Sequence, residues 1–314
     1  MKRMSKLRRH VPVALALILA SVSSSCGVLS GLFLRPRTIL RHGKPAAAKL
    51  LEATRDQLSE RIASLYNPIN SFQASITMTP SVGSVYKGQI NEIADVRALI
   101  LFRKPSDIRI QAQAPVVRTQ VMDMVSNGTE FGVFLNSKNL FIHGLNSAPA
   151  TSKNKIENLR PAAFLSSLLI MPAEAGIETP VLMDLTDEDN ALYVLMFMRK
   201  LPDGELRVGR TVWFDRLDLS IVRQMVYDEQ GSIVSDTHYG SPWKAYNGVL
   251  FPSHIDIQRN HEEYGVVMDI ESMQMNKALT DAQFLLPQPE GSTLQEIGAP
   301  APADLKRDVK QAPK

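Results

Sequence analysis

The sequence predicts a mainly β fold with some α: a curved antiparallel sheet forming an unclosed barrel, with an N-terminal helix and short helices against its concave side. Three observations predict it. From Ser71 onward, apolar residues recur at every second position, in runs broken by Asn-, Gly-, Pro- and Asp-rich turns. A period of three to four is sustained only once, near residues 46–67. No strand–helix–strand alternation appears, so a parallel, doubly wound sheet is not expected.

The elements follow in chain order. In AAAKLLEATRDQLSERIASLYN (46–67), Leu50, Leu51, Thr54, Leu58, Ile62 and Leu65 share one face, and Pro68 stops the helix. FQASITMTPSV then places Phe72, Ala74, Ile76 and Met78 on one side of a strand. Two strands flank the turn Lys104-Pro105-Ser106-Asp107. Three more in 120–144 are separated at Asn127-Gly128 and Asn136–Asn139. Residues 146–160 read as a polar loop, and PAAFLSSLLIMP (161–172) as a short helix between prolines. Hairpins follow around Pro202-Asp203-Gly204 and Asp228–Gly231, then two strands in LFPSHIDIQRN and EYGVVMDIESMQMN. KALTDAQFLLPQP makes a closing helical turn, and residues 291–314 read as a flexible tail. The count comes to about nine to eleven strands.

Bulk composition narrows the function. Of 314 residues, 44% are hydrophobic and 21% charged, as in ordinary globular proteins. The net charge of +3 comes from the N-terminus: removing Lys2, Arg3, Lys6, Arg8 and Arg9 leaves −2, no basis for nucleic-acid binding. One cysteine rules out an intrachain disulfide and a cysteine-based zinc site.

That cysteine sits at the end of an export signal. MKRMSKLRRH is cationic, VPVALALILA (11–20) is apolar, and SVSSS (21–25) supplies small residues before Cys26. Residues 1–25 therefore read as a signal peptide and 26–45 as a lipidated N-terminus and tether, before a domain spanning 46–290. The segment resembles a bacterial lipobox, which implies a diacylglyceryl group on the Cys26 thiol and a palmitate-bearing anchor. Ser23 stands where such motifs usually carry Leu. Two other readings stay open: a signal peptide cut elsewhere, and one uncleaved helix over 11–34, weakened by its serines and by Arg35 and Arg37 beyond it. Gly27, in place of Asp, leans towards the outer membrane by the same resemblance.

The order of elements resembles the bacterial lipoprotein-localisation factors, the LolA/LolB-like, outer-membrane lipoprotein-sorting type. LLEATRDQLSERIASLYNPINSFQASITM resembles their opening helix and first strand, ILFRKPSDIRIQAQAP their second hairpin, and VSNGTEFGVFLNSKNLFIHG the next pair. TVWFDRLDLSIVRQMVYDEQGSIV, YNGVLFPSHIDIQ and ALTDAQFLLPQPEG resemble later segments, so the likeness covers roughly 46–290. It implies an unclosed barrel holding acyl chains, and a lid-holding arginine for which Arg103, Arg109 and Arg118 are all open.

An acyl-chain site needs a dry concave surface. The expected lining is Phe72, Ile76, Ile100, Phe102, Ile110, Met122, Met124, Val133, Leu195, Phe197, Met225 and Met268, with PAAFLSSLLI as lid or as ordinary core. The function this implies is a periplasm-facing, non-enzymatic lipoprotein that binds acyl chains of lipids or lipoproteins, with envelope proteins as further partners. The alternative is an envelope-assembly lipoprotein with a filled core. Solid packing beneath the N-terminal helix would favour the second and end the lipid-carrier reading. The histidines show no metal-ligand spacing, and neither a G-x-S-x-G elbow nor a P-loop is present, so no metal, cofactor or catalytic residue is expected.

Overall fold

A computed structural model describes residues 40–41, 44–45, 49–114, 119–148 and 158–297. Cys26, the signal sequence, Arg118 and the end of the chain lie outside the described residues. In a separate small unit, β1 (Leu40–Arg41) pairs with β2 (Lys44–Pro45).

The larger unit opens with α1 (Arg55–Tyr66), nine residues after the helix expected from Ala46. A capping box fixes the start. Thr54 Oγ1 accepts from the Gln57 amide at 3.3 Å, and Gln57 Oε1 accepts from the Thr54 amide at 2.8 Å. Leu50 and Leu51 therefore precede the helix, and Leu58, Ile62 and Leu65 form its buried stripe. At its other end Lys104 Nζ donates to the Tyr66 carbonyl at 3.1 Å and sits 3.9 Å from the Tyr66 ring centre, a cation at the negative end of the helix.

The strands follow as β3 (Ser71–Ser84), β4 (Gln89–Glu92), β5 (Val96–Arg103), β6 (Asp107–Gln113), β7 (Gln120–Ser126), β8 (Glu130–Leu135) and β9 (Leu140–Leu145). After α2 (Pro161–Leu168) come β10 (Glu178–Thr186), β11 (Ala191–Lys200), β12 (Leu206–Asp215), β13 (Ile221–Tyr227) and β14 (Ile233–Tyr239). The small hairpin β15 (Lys244–Tyr246) and β16 (Val249–Phe251) leads to β17 (His254–Arg259), β18 (Tyr264–Met275) and β19 (Thr293–Ile297). Proline at the first position of α2 is preorganised for a helix start.

One sheet of 15 strands has the order β10-β11-β12-β13-β14-β17-β18-β3-β5-β6-β7-β8-β9-β19, with β4 added to β3. It is curved and does not close, its two ends being β10 and β19. All the expected hairpins are present. β10 is additional: its burial alternates weakly, as suits an edge strand.

The tail expectation needs correction, because Thr293–Ile297 pairs in parallel with β9. The edge of β9 offers unpaired backbone groups, and Gly144 lets the new strand approach: a Cβ there would run into the Ile297 carbonyl. The ordered domain thus reaches at least Ile297.

Candidate functional site

Strand register divides the concave face into a filled end and a hollow end. Cross-strand neighbours at the filled end are large: Met275 opposes Phe72, Phe72 opposes Phe102, and Phe102 opposes Ile108. The Phe72 ring lies 5.2 Å from Phe102 and 5.7 Å from Phe251, centre to centre. α1 packs near β10, β11 and β16 at this end. Between Leu65, Ile69, Leu168, Ile170 and Phe251 the remaining void is about 20 Å³, room for about one water. Beneath the C-terminal half of α1 the packing is therefore close, and the space at its other end is an open groove between Thr54–Asp56 and Thr179–Leu182 of β10.

The hollow lies further along the same strands, beside the start of α2. Its volume is about 430 Å³, within the roughly 300–1,000 Å³ of small-molecule sites. β3 contributes Met78, Pro80 and Val82; Ile93, Ala94 and Val96 lead into and begin β5; and Ala112 and Ala114 end β6. Val121, Met122 and Leu135 come from β7 and β8, Tyr264 and Val266 from β18, and Leu159 and Phe164 from around the start of α2. The polar contributors, among them Ser81, Asp95, Ser137 and Lys138, are few beside these.

Two features open the hollow among larger lining residues such as Met78, Leu135 and Phe164: short side chains beside them and a change of strand partner. Where Phe72 meets Phe102 at the filled end, Ala98 meets Ala112 nearer the hollow. After Met78, which opposes Val96, β3 runs on without β5 and pairs with β4 from Ser81. Small residues on a curving sheet leave a volume that neighbours on the rigid strands cannot move in to fill.

Of the twelve expected lining residues, Met122 borders this hollow. Phe72, Ile76, Ile100, Phe102, Ile110, Met124, Val133, Leu195, Phe197 and Met268 are buried in the main apolar cluster, and Met225 is buried as well. These eleven are core side chains and do not border the hollow. Sequence reading missed the lining because position along the strands, not residue size, decides it: Met78, Leu135 and Phe164 border the hollow, and Phe72, Phe102 and Phe197 do not.

α2 lies across the concave side, in contact with β6, β7 and β14. Its C-terminal part is pinned by a buried polar seam. Tyr239 Oη donates to the Ser167 carbonyl at 2.8 Å, Thr237 Oγ1 to Ser167 Oγ at 3.0 Å, and Gln224 Nε2 to the Ser166 carbonyl at 2.8 Å. Burial raises the Tyr239 hydroxyl far above its usual range, so it remains a donor. The segment after α2 is held by Arg210, which donates to the Met171 carbonyl at 2.8 Å and pairs with Glu178 at 2.8 Å. Burial pushes the Glu178 carboxyl up, but hydrogen bonding and charge from Arg210, with help from the Glu174 amide and Arg199, hold it below its usual range.

Two of the three arginines open for a lid contact lie elsewhere, and Arg118 is outside the described residues. Arg103 pairs with Asp107 at 2.7 Å and Asp281 at 2.8 Å, while Arg109 pairs with Asp123 at 2.7 Å and donates to the Gln283 carbonyl at 2.9 Å. Both alternate with the inward Phe102, Ile108 and Ile110, and both hold the turn at Asp281–Phe284 against the outer face. Arg210 secures the segment after α2, through the Met171 and Pro172 carbonyls.

No family model matches the sequence, and no curated protein matches it. The fold is similar to that of a LolA superfamily protein from Nitrosomonas europaea, at 15% identity and a TM-score of 0.48, covering 75% of this chain and 99% of that one. A DUF1329 family protein from Desulfovibrio piger aligns at 15% identity and 0.48, over 74% and 95%. A domain described as an outer membrane lipoprotein-sorting protein, from Vibrio parahaemolyticus, aligns at 8% and 0.48, over 74% and 97%. These are likenesses of fold alone; any functional reading rests on the hollow.

Proposed function

We propose that this chain is a non-enzymatic envelope lipoprotein that binds the hydrocarbon part of a lipid or lipoprotein in the hollow beside α2, and acts in lipid or lipoprotein transport or outer-membrane biogenesis. The observation that carries the reading is a cavity of about 430 Å³ bordered chiefly by apolar side chains. Such a space gains little from water, which needs two to four polar partners, and favours an alkyl chain by about 0.8 kcal/mol per methylene transferred from water. The segment from Lys2 to Cys26 and the resemblance in its lipobox support a lipid anchor at Cys26, with the domain facing the periplasm and the anchor in the outer membrane.

Protein purified without detergent from its native membrane, extracted with organic solvent and analysed by mass spectrometry, yields acyl lipid in near-stoichiometric amount under this reading; repeated recovery of empty protein contradicts it. Cys26→Ala tests the anchor separately: membrane attachment and palmitate incorporation disappear together if Cys26 carries the lipid, and attachment persists if 11–34 is an uncleaved helix.

The second reading, an envelope-assembly lipoprotein with a filled core, draws support from the close packing beneath the C-terminal half of α1. The hollow beside α2 weighs against it.

A further inference from the structure

Tyr264 is unusual among the residues bordering the hollow. It opens β18 on the concave side, opposite Val82 of β3 and Arg259 of β17. Its side chain is 4% exposed, and its hydroxyl has no hydrogen-bond partner among the described residues. A phenol is normally satisfied when buried, since an unmade hydrogen bond costs more than a typical one contributes. The other buried tyrosine near α2, Tyr239, obeys that rule by donating to Ser167.

The surroundings of Tyr264 also differ from the rest of the hollow. Arg160, Arg259 and Glu262 all act on its hydroxyl electrostatically. Arg259 is paired with Glu262 at 2.6 Å, and the Arg160 guanidinium lies 4.6 Å from the centre of the Phe131 ring. Burial raises the Tyr264 hydroxyl to about 12, so at neutral pH it is a hydrogen-bond donor.

We infer that the hollow takes an acyl compound head first at this rim, with Tyr264 Oη donating a hydrogen bond to the carbonyl or carboxylate oxygen and the alkyl chain lying across the sheet towards Ala112 and Met122. The inference rests on the lipid-binding reading and adds to it the ligand's head chemistry and orientation. From β18 through β3, β5, β6 and β7 to β8 is five inter-strand steps, about 24 Å along the sheet, so a medium-length chain fits. The oxygen is shared by free fatty acids and by glycerolipid esters, and the experiment separates them.

Full-length wild type and Tyr264→Phe are compared by displacement of an environment-sensitive fluorophore from the hollow, using dodecanoic acid, methyl dodecanoate and dodecane. The variant keeps the ring and loses only the hydroxyl. It is expected to bind the two oxygenated ligands about fivefold to tenfold more weakly and dodecane within about twofold of wild type. An equal loss for acid and ester assigns the hydrogen bond to the acyl carbonyl; a loss for the acid alone assigns it to a free carboxylate. Unchanged affinity for all three overturns Tyr264 as the hook and leaves the lipid hollow standing. If wild type binds none of the three, the lipid reading fails and this inference with it. A second measurement needs no variant: the infrared stretch of carbonyl-labelled methyl dodecanoate shifts to lower frequency when bound to wild type, and a stretch like that in dry alkane overturns the proposal.

Discussion

The two ends of one concave face differ although the same strands cross both. Beneath the end of α1 the row Met275–Phe72–Phe102–Ile108 is large throughout and about 20 Å³ remains; nearer the hollow the row Ile270–Ile76–Ala98–Ala112 ends in two alanines, and about 430 Å³ remains beside α2. Two differences separate the packed core from the binding space: the short side chains at Ala98 and Ala112, and the departure of β5 from β3 after Met78.

Substitutions that exchange the character of the ends sharpen this contrast. The largest effect is expected at the filled end: Phe72→Ala should destabilise by about 3–5 kcal/mol, read by urea unfolding, with lipid affinity in the surviving folded fraction little changed. Arg210→Ala comes next. It removes the more buried of the two arginines on Glu178, whose side chain is 2% exposed, and leaves Arg199 at 3.0 Å, so the cost should be about 2–3 kcal/mol, below that of a fully unpaired buried charge; a loss below about 1 kcal/mol would show that the segment after α2 does not depend on this pair.

At the hollow end the pattern should reverse. Ala112→Phe places a ring in open volume, so stability should stay within about 1 kcal/mol of wild type while affinity for dodecanoic acid falls at least about tenfold. If the variant unfolds instead, the hollow is not available space. Thr237→Val, which removes one hydrogen bond of the α2 seam, should cost about 1 kcal/mol, measured as a shift in urea midpoint.

The smallest effect is a pH dependence at the filled end. The Glu178 carboxyl lies below its ordinary range when folded. Its contribution to stability is therefore fully present above the ordinary carboxylate range and is lost as pH falls through the lowered folded value. Glu178→Gln should be less stable than wild type at neutral pH and should flatten that acid limb; parallel pH profiles would remove the pair from the account.

The fold was legible in the sequence where the pattern is local. Alternation in β3 and β18, Asn127-Gly128 at one turn and Pro202-Asp203-Gly204 at another mark strands that form as read. The start of α1 was also written locally, in Thr54 and Gln57, but the apolar spacing of Leu50 and Leu51 masked it. Long-range features were harder to see. β19 depends on the absence of a side chain at Gly144, about 150 residues earlier in a chain of 314. Glu178 and Arg210 are 32 residues apart, and only their register makes them partners.

The hollow was the least legible feature, for a physical reason. A cavity is marked by what is small, and small residues such as Ala112, Ala114 and Pro80 look like weak strand positions in isolation. Only the pairing of β18 with β3 and of β5 with β6, and the chain just beyond β6, bring them to one hollow. Arg210 left a fainter mark: a charged residue two positions before the buried Val212, on the inward side of a strand, asks for a buried partner.

The most direct test is to locate a heavy-atom-labelled ligand. Crystals grown with 12-bromododecanoic acid should show a bromine anomalous peak inside the hollow, near Ala112 and Met122, with the carboxyl group at Tyr264. A peak beneath α1, or a hollow without bound ligand at concentrations that saturate binding in solution, would contradict the account.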